Sequence, residues 1–267
     1  MKTLTADIYR FSLSSKIALL LTSIFATAGF TWPFFAPDIE SARFAQFFFW
    51  IAMPLAFILL LAQLSDRSLD AKSVALLGML AALLAALRPL GAGAVGLEPM
   101  WFLLILSARV FGSAFGFLLG SLGMLASALF TGGIGPWLTY QIFAAAVIGL
   151  FAGSIAKNLR GWREQILLVA IAIISAFGYG LLMDLQFWPW ALGGDTQLSF
   201  IPGGDLQENL QRFVTFHFLS SMAWDIPRAV LTGALVLSTG PAVLAALRRT
   251  KKKAAFLTPI EFNERLN

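Results

Sequence analysis

The sequence predicts an all-α polytopic membrane protein, and three observations carry that prediction. Hydrophobic residues make up 58% of the chain and charged residues only 12%, where a soluble domain carries about 25% charged residues. Apolar runs of membrane-crossing length follow one another from Lys16 to Leu247. The basic residues gather at the ends of those runs, as membrane anchors do and nucleic-acid surfaces do not. A water-soluble fold has nowhere to bury this much Phe, Leu and Ala.

Crossing about 30 Å of hydrocarbon takes roughly 20 helical residues. By that measure eight helices are expected, over 16–35, 43–64, 72–88, 98–111, 113–131, 137–156, 164–186 and 213–247. In the first, Ala26-Thr27-Ala28 imitates a signal-peptidase site, but the apolar run continues through Phe35, so a retained helix is expected. The fourth and fifth are joined by Gly112-Ser113-Ala114-Phe115-Gly116. That stretch is a tight turn in an eight-helix reading, or a break within one span in a seven-helix reading. A glycine-rich loop, Gly91–Pro99, separates the third helix from the fourth, and a long polar loop is expected from Trp188 to Arg212. A basic run and a short tail follow Leu247.

Orientation follows from the basic residues. With the N-terminus inside, fifteen Lys and Arg fall on the inner side, and only Arg43, Arg88 and Arg212 fall outside, with Arg228 within the last helix. Both termini are therefore expected in the cytoplasm. Trp32, Trp101, Trp137, Trp188 and Trp190 fall at outer helix ends, where amphipathic rings settle at headgroup level.

Several chemistries lack their residues. The chain has no cysteine, so thiol catalysis and thiolate metal sites are excluded. Gly91-Ala92-Gly93-Ala94-Val95-Gly96 matches the dinucleotide fingerprint, but it follows a membrane helix rather than a strand, so its glycines read as a tight loop. No Walker motif occurs, so the chain does not bind ATP by one, and if it moves a solute uphill another subunit has to supply the energy. His217 is the only histidine, and no nucleophile or metal-ligand spacing accompanies it. Neither catalytic residues, nor a metal, nor a cofactor are expected.

Small residues recur at four-residue spacing in two places. Gly112, Gly116 and Gly120 form one ridge, expected to pack inside the bundle. Gly78, Ala82 and Ala86 form another, flanked by Ala81 and Ala85, and serve either internal packing or a docking face. Charges within membrane segments mark function or pairing. Arg88 and Glu98 flank the glycine loop and are placed to pair. Asp225 and Arg228, at i and i+3, share a helix face beside Pro227.

The segment from LLAALRPLGAGAVGLEPMW through TGGIGPWLTYQIFAAAVIGLFAG, with the later WDIPRAV, resembles the substrate-binding S components of energy-coupling factor (ECF) vitamin transporters, in particular the actinobacterial-type branch. The resemblance covers roughly 72–250 and implies a six-helix core there, a two-helix N-terminal addition over 1–71 and a basic tail over 251–267. It implies a high-affinity subunit that takes a vitamin-like ligand from outside. Its partners would be a transmembrane coupling subunit, docked on an A-x-x-x-A pattern that Ala81/Ala85 and Ala82/Ala86 both fit, and two ATPase subunits. The family's pocket is capped by the loops after core helices one, three and five, which here are Pro89–Glu98, Thr131–Trp137 and Trp188–Arg212.

Ligand contacts are accordingly expected from Arg88, Gly91, Gly93, Glu98, Trp101, Gly135, Trp137, Tyr140, Gln141, Asp184, Trp188, Trp190, Trp224, Asp225 and Arg228. Their mix of rings, glycine backbone and a few charges suits a flat cofactor-like molecule. Cobalamin is the first expectation, with riboflavin-like and other heteroaromatic compounds close behind. An ion-coupled secondary transporter, a polytopic membrane enzyme and an assembly protein are the alternatives.

Overall fold

The computed structural model describes residues 7–9, 11–35, 40, 47, 50–51, 54, 71–91, 96–155, 158–192 and 196–253. Among them the regular elements are helical: α1 (Leu13–Thr31), α2 (Ala71–Leu87), α3 (Met100–Phe111), α4 (Ser113–Thr131), α5 (Leu138–Ser154), α6 (Trp162–Ala191), α7 (Leu206–Ser238) and α8 (Gly240–Lys253). Short 3-10 turns extend α1 over Trp32–Phe34 and α2 over Arg88–Gly91. The expected helix over 43–64 falls almost wholly outside the described residues. Among the described residues four helices, α1 and α2 with their 3-10 turns, α4 and α6, are long and apolar enough to cross a membrane. The pair α7–α8 makes a fifth span if taken as one, while α3 and α5 are apolar but shorter.

In α1 a polar stripe survives because its hydroxyls stay satisfied without water. Thr22, Ser23, Thr27 and Thr31 each donate to the carbonyl four residues back, which is how such residues sit in an apolar span. Its buried face, Ser15, Ala18, Thr22, Ala26, Gly29 and Phe30, repeats every three to four residues and brings Phe30 against Tyr140 and Phe143 of α5.

The core lies between α2, α3, α4, α5 and α6. At Gly112, which holds φ at +110°, the chain reverses. The start of α3 and the end of α4 both lie beside Arg88, so the junction is the tight turn rather than a break in one span. Beyond it the glycine ridge packs internally as expected. Gly116 faces Gly149 so closely that a Cβ on either would strike the other's carbonyl, the backbone approach that small residues permit between membrane helices.

Two expectations are corrected. The long polar loop is shorter than its composition indicated, since the helix before it reaches Ala191 and the helix after it begins at Leu206. Trp188 and Trp190 belong to α6, and the polar stretch from Leu206 already belongs to α7. Asp205 caps that helix, its Oδ2 accepting from the amides of Gln207 at 2.9 Å and Glu208 at 3.3 Å. The second correction is at the other end. The single helix expected over 213–247 is α7 and α8, bent by 67° at Thr239, where Pro241 has no N–H to continue the ladder. Gly240, Leu244, Leu247 and Lys251 line the buried face of α8. Lys251 Nζ donates to Val110 O at 2.6 Å, so α8 lies across the end of the bundle, on α3. The expected basic tail thus begins inside a helix.

This end, with the α3–α4 turn, the α5–α6 connection and α8, is the basic end. The opposite, loop end gathers the connections after α2, α4 and α6. Arg88 meets Ser127 and Gln141 there, and Trp32 meets Trp190 and Phe200.

Candidate functional site

Near the loop end one polar network crosses the otherwise apolar bundle. Arg88 leaves the end of α2 and donates through Nη1 to Ser127 Oγ at 2.9 Å and through Nη2 to Gln141 Oε1 at 3.1 Å. Its Nε lies 3.8 Å from Glu98 Oε1. Glu98 Oε2 accepts a hydrogen bond from Trp101 Nε1 at 2.8 Å and lies 3.6 Å from Arg228 Nε. Arg228 Nη1 donates to Asp225 Oδ1 at 2.6 Å, and Asp225 Oδ2 accepts from Ser221 at 2.7 Å. The Arg228 guanidinium also lies over the Tyr179 ring, 4.9 Å from its centroid. Trp101 packs on Tyr179 with ring centroids 4.6 Å apart.

Local backbone explains this convergence. Asp225 and Arg228 share one face of α7 at i and i+3, and Pro227 between them lacks the N–H that would bond the Ala223 carbonyl. A side chain at Gly180 would occupy the space of the Asp225 carboxylate, so glycine there lets Asp225 lie against α6. Glu98 is carried by the glycine loop, which seats on α7 through Gly96 at φ +70°. A Cβ at Gly96 would strike the Trp224 carbonyl. Gly96→Ala is therefore expected to unseat the loop and lower stability by about 1–3 kcal/mol. Thermal unfolding of the purified variant measures it, and an unchanged midpoint would detach the loop from α7.

The expected pairings Arg88–Glu98 and Asp225–Arg228 are both present, and Trp101 and Gln141 join them. Ser127, Tyr179 and Ser221 complete the network without having been foreseen. Ser127 and Tyr179 meet partners on other helices, where no spacing rule reaches, whereas Ser221 lies one turn before Asp225 on α7, a spacing the sequence did offer.

Other expected contacts lie elsewhere. Trp188 is fully buried among Phe34, Phe200 and Phe213, with its Nε1 donating to Leu198 O at 2.7 Å. It is a core residue rather than a rim of the loop. Tyr140 is buried against Phe30 in the same aromatic cluster. Trp190 packs on Trp32. Trp137 lies beside Gly135, and Trp137 and Trp224 turn out of the bundle at 46% and 51% exposure. Gly91 fits under the Leu97 carbonyl, and Gly93 lies outside the described residues. Asp184 forms a separate cluster, its Oδ2 2.8 Å from His217 Nδ1 and accepting from Ser220 Oγ at 3.0 Å. His217 thus pairs with a carboxylate, and Ser220 bonds that carboxylate rather than the imidazole, which is not the order of a hydrolytic triad.

The basic end holds a second charged centre. Glu164, with its side chain only 2% exposed, takes Arg109 Nε at 2.8 Å and Arg248 Nη2 at 2.6 Å, with Arg160 Nη1 at 3.8 Å. Arg109 also donates to Ile155 O at 2.7 Å. From sequence, Arg109 reads as a snorkelling residue near the inner membrane surface. Instead its side chain is 1% exposed and ties α3 to the α5–α6 connection and α6.

Along α2 the two alanine pairs part company. Ala81 and Ala85 face the core. Gly78, Ala82 and Ala86 face outwards as one open ridge, with no atom within 4 Å of a Cβ built on Gly78. Among the described residues no group of three or more His, Asp or Glu gathers as metal ligands would.

Fold and network together define a helical membrane protein with a charged, aromatic-walled cluster near one end of its bundle. No protein-family model, curated protein or solved structure matches the chain.

Proposed function

We propose that the chain is the membrane-embedded substrate-binding subunit of an ATP-driven importer of the energy-coupling factor type, taking a vitamin or cofactor precursor. The observation that carries this reading is the network Arg88–Glu98–Arg228–Asp225 with Trp101 and Tyr179 beside it. Ionisable groups inside an apolar bundle are costly and collect at ligand paths, and apolar walls with a few placed polar groups are what a small-molecule site needs. In this reading the protein spans the cell membrane with both termini cytoplasmic and the loop end outward. It has no catalytic role, and two ATPase subunits drive it through a transmembrane coupling subunit. Mass spectrometry of small molecules released from the purified chain tests it directly. A stoichiometric micronutrient is the expected result; a chain that is empty and silent to a vitamin panel would remove the reading.

The outward ridge Gly78–Ala82–Ala86 supplies the docking face. Ala82→Leu with Ala86→Leu is expected to abolish co-purification with the coupling subunit and uptake by cells, while ligand affinity stays within about twofold, because neither side chain reaches the network. Intact co-purification would remove α2 from that interface.

One observation favours a second reading. The Asp184–His217 pair is a protonatable cluster between two membrane helices, as an ion-coupled secondary transporter would use. Uptake by the chain alone in proteoliposomes, driven by a proton gradient, would establish it over the first.

A further inference from the structure

Two arginines and two carboxylates meet in the network, and the two acids are held very differently. Asp225 is fully buried on α7 and fixed by short bonds from Arg228 and Ser221. Glu98 stands between Arg88 and Arg228 at 3.8 and 3.6 Å, too far for a hydrogen bond to either. Among the described residues its carboxylate accepts one hydrogen bond, from the Trp101 indole. Arg88 donates its short bonds to the neutral acceptors Ser127 and Gln141, which position a guanidinium without balancing its charge. Arg228 Nε is buried and has no hydrogen-bond partner among the described residues, an arrangement that costs free energy until an acceptor arrives. The N–H edges of two guanidinium groups thus flank one loosely held carboxylate.

Glu98 is also the member of the network free to leave. It precedes α3 in a non-helical stretch, and its side chain is 22% exposed. Rotation about its own side-chain bonds frees the seat without unwinding a helix. Asp225, on α7 under Gly180, has no such freedom.

We infer that Glu98 is an internal stand-in for a carboxylate of the ligand, so that the site selects a small carboxylate-bearing micronutrient over neutral or cationic ones. This deepens the binding reading above and rests on it. On entry, the ligand carboxylate takes the donors of Arg228 Nε and Arg88 Nε, and Glu98 moves to solvent, so the charge balance of the site is unchanged. The rings of Trp101 and Tyr179 stand beside this seat and receive the apolar or heterocyclic part of the ligand. A neutral compound gains nothing from the orphaned Nε, and a cation meets two arginines. Cobalamin, whose side groups are amides, does not offer the required group.

The test pairs acids with their neutral counterparts on the purified full chain in lipid nanodiscs, by calorimetry. Nicotinate is set against nicotinamide, biotin against biotinamide, pantothenate against pantothenol and lipoate against lipoamide, with thiamine, riboflavin and cobalamin as carboxylate-free probes. One acid is expected to bind, and its neutral counterpart at least about tenfold more weakly. Glu98→Gln, which keeps an acceptor for Trp101 and loses the competing charge, is expected to tighten that acid several-fold. Binding confined to carboxylate-free compounds overturns this inference and leaves the binding reading standing. So does a Glu98→Gln variant that binds the acid more weakly, because Glu98 is then a ligand contact itself. Silence across the whole panel overturns the binding reading and this inference with it.

Discussion

Asp225→Ala is expected to destabilise the protein by about 3–5 kcal/mol, the cost of stranding a buried charge. Arg228 would lose its shortest bond, 2.6 Å to Asp225 Oδ1, and keep only the distant Glu98 as a counter-charge. Ser221 would lose its acceptor as well. Replacing Arg228 with Ala strands the opposite charge and is expected to cost a similar amount. The double replacement is then expected to be milder than the sum of the two, because removing a buried pair together leaves no orphan. Thermal unfolding of the three variants in detergent reads out the cycle. Strict additivity would mean that the two residues do not support each other.

The second large effect is expected at the basic end. Glu164→Gln keeps the shape of the residue that Arg109 and Arg248 share but removes its charge. Arg109 is then left buried without a counter-charge, again a loss of about 3–5 kcal/mol. The consequence is local as well as global, since Arg248 is one of the bonds holding α8 to the bundle. Because the sequence has no cysteine, a single Leu244→Cys placed on the buried face of α8 reports that contact through maleimide labelling. Labelling is expected to be slow on the wild-type background and fast beside Glu164→Gln. Equal rates would show that other contacts hold α8 in place.

How far the sequence could be followed differs from element to element. Apolar length alone set α2, α4 and α5 to within one or two residues, because in a membrane that length is the dominant constraint. The errors cluster where polarity was taken for loop. Leu206–Arg212 is polar yet helical, and Asp205 ahead of it was a legible N-cap signal. Gly240-Pro241 was likewise a legible stop, hidden inside a long apolar run. In the candidate site, the charges announced themselves individually, and pairs close in sequence, such as Asp225 with Arg228, followed from helical spacing. Partners distant in the chain did not. Glu164 with Arg109 and Arg248, Asp184 with His217, and Arg88 with Ser127 depend on which helices are neighbours, and hydrophobic periodicity is nearly silent on that when every face is apolar. For the same reason spacing could not choose between Ala81/Ala85 and Ala82/Ala86, whereas packing turns one pair inwards and the other out.

Helix α3 has only 12 residues, about 18 Å at the helical rise, yet both of its ends are keyed. At one end Trp101 holds Glu98; at the other Arg109 is locked on Glu164, and Lys251 on the carbonyl of Val110. The helix therefore behaves as a gauge block with a fixed angular phase. A slip of one residue that left Arg109 seated would turn Trp101 by about 100° away from Glu98. The two charged centres of this bundle are indexed to each other through eight residues of a single helix, and neither can be assembled in the wrong register while the other is right.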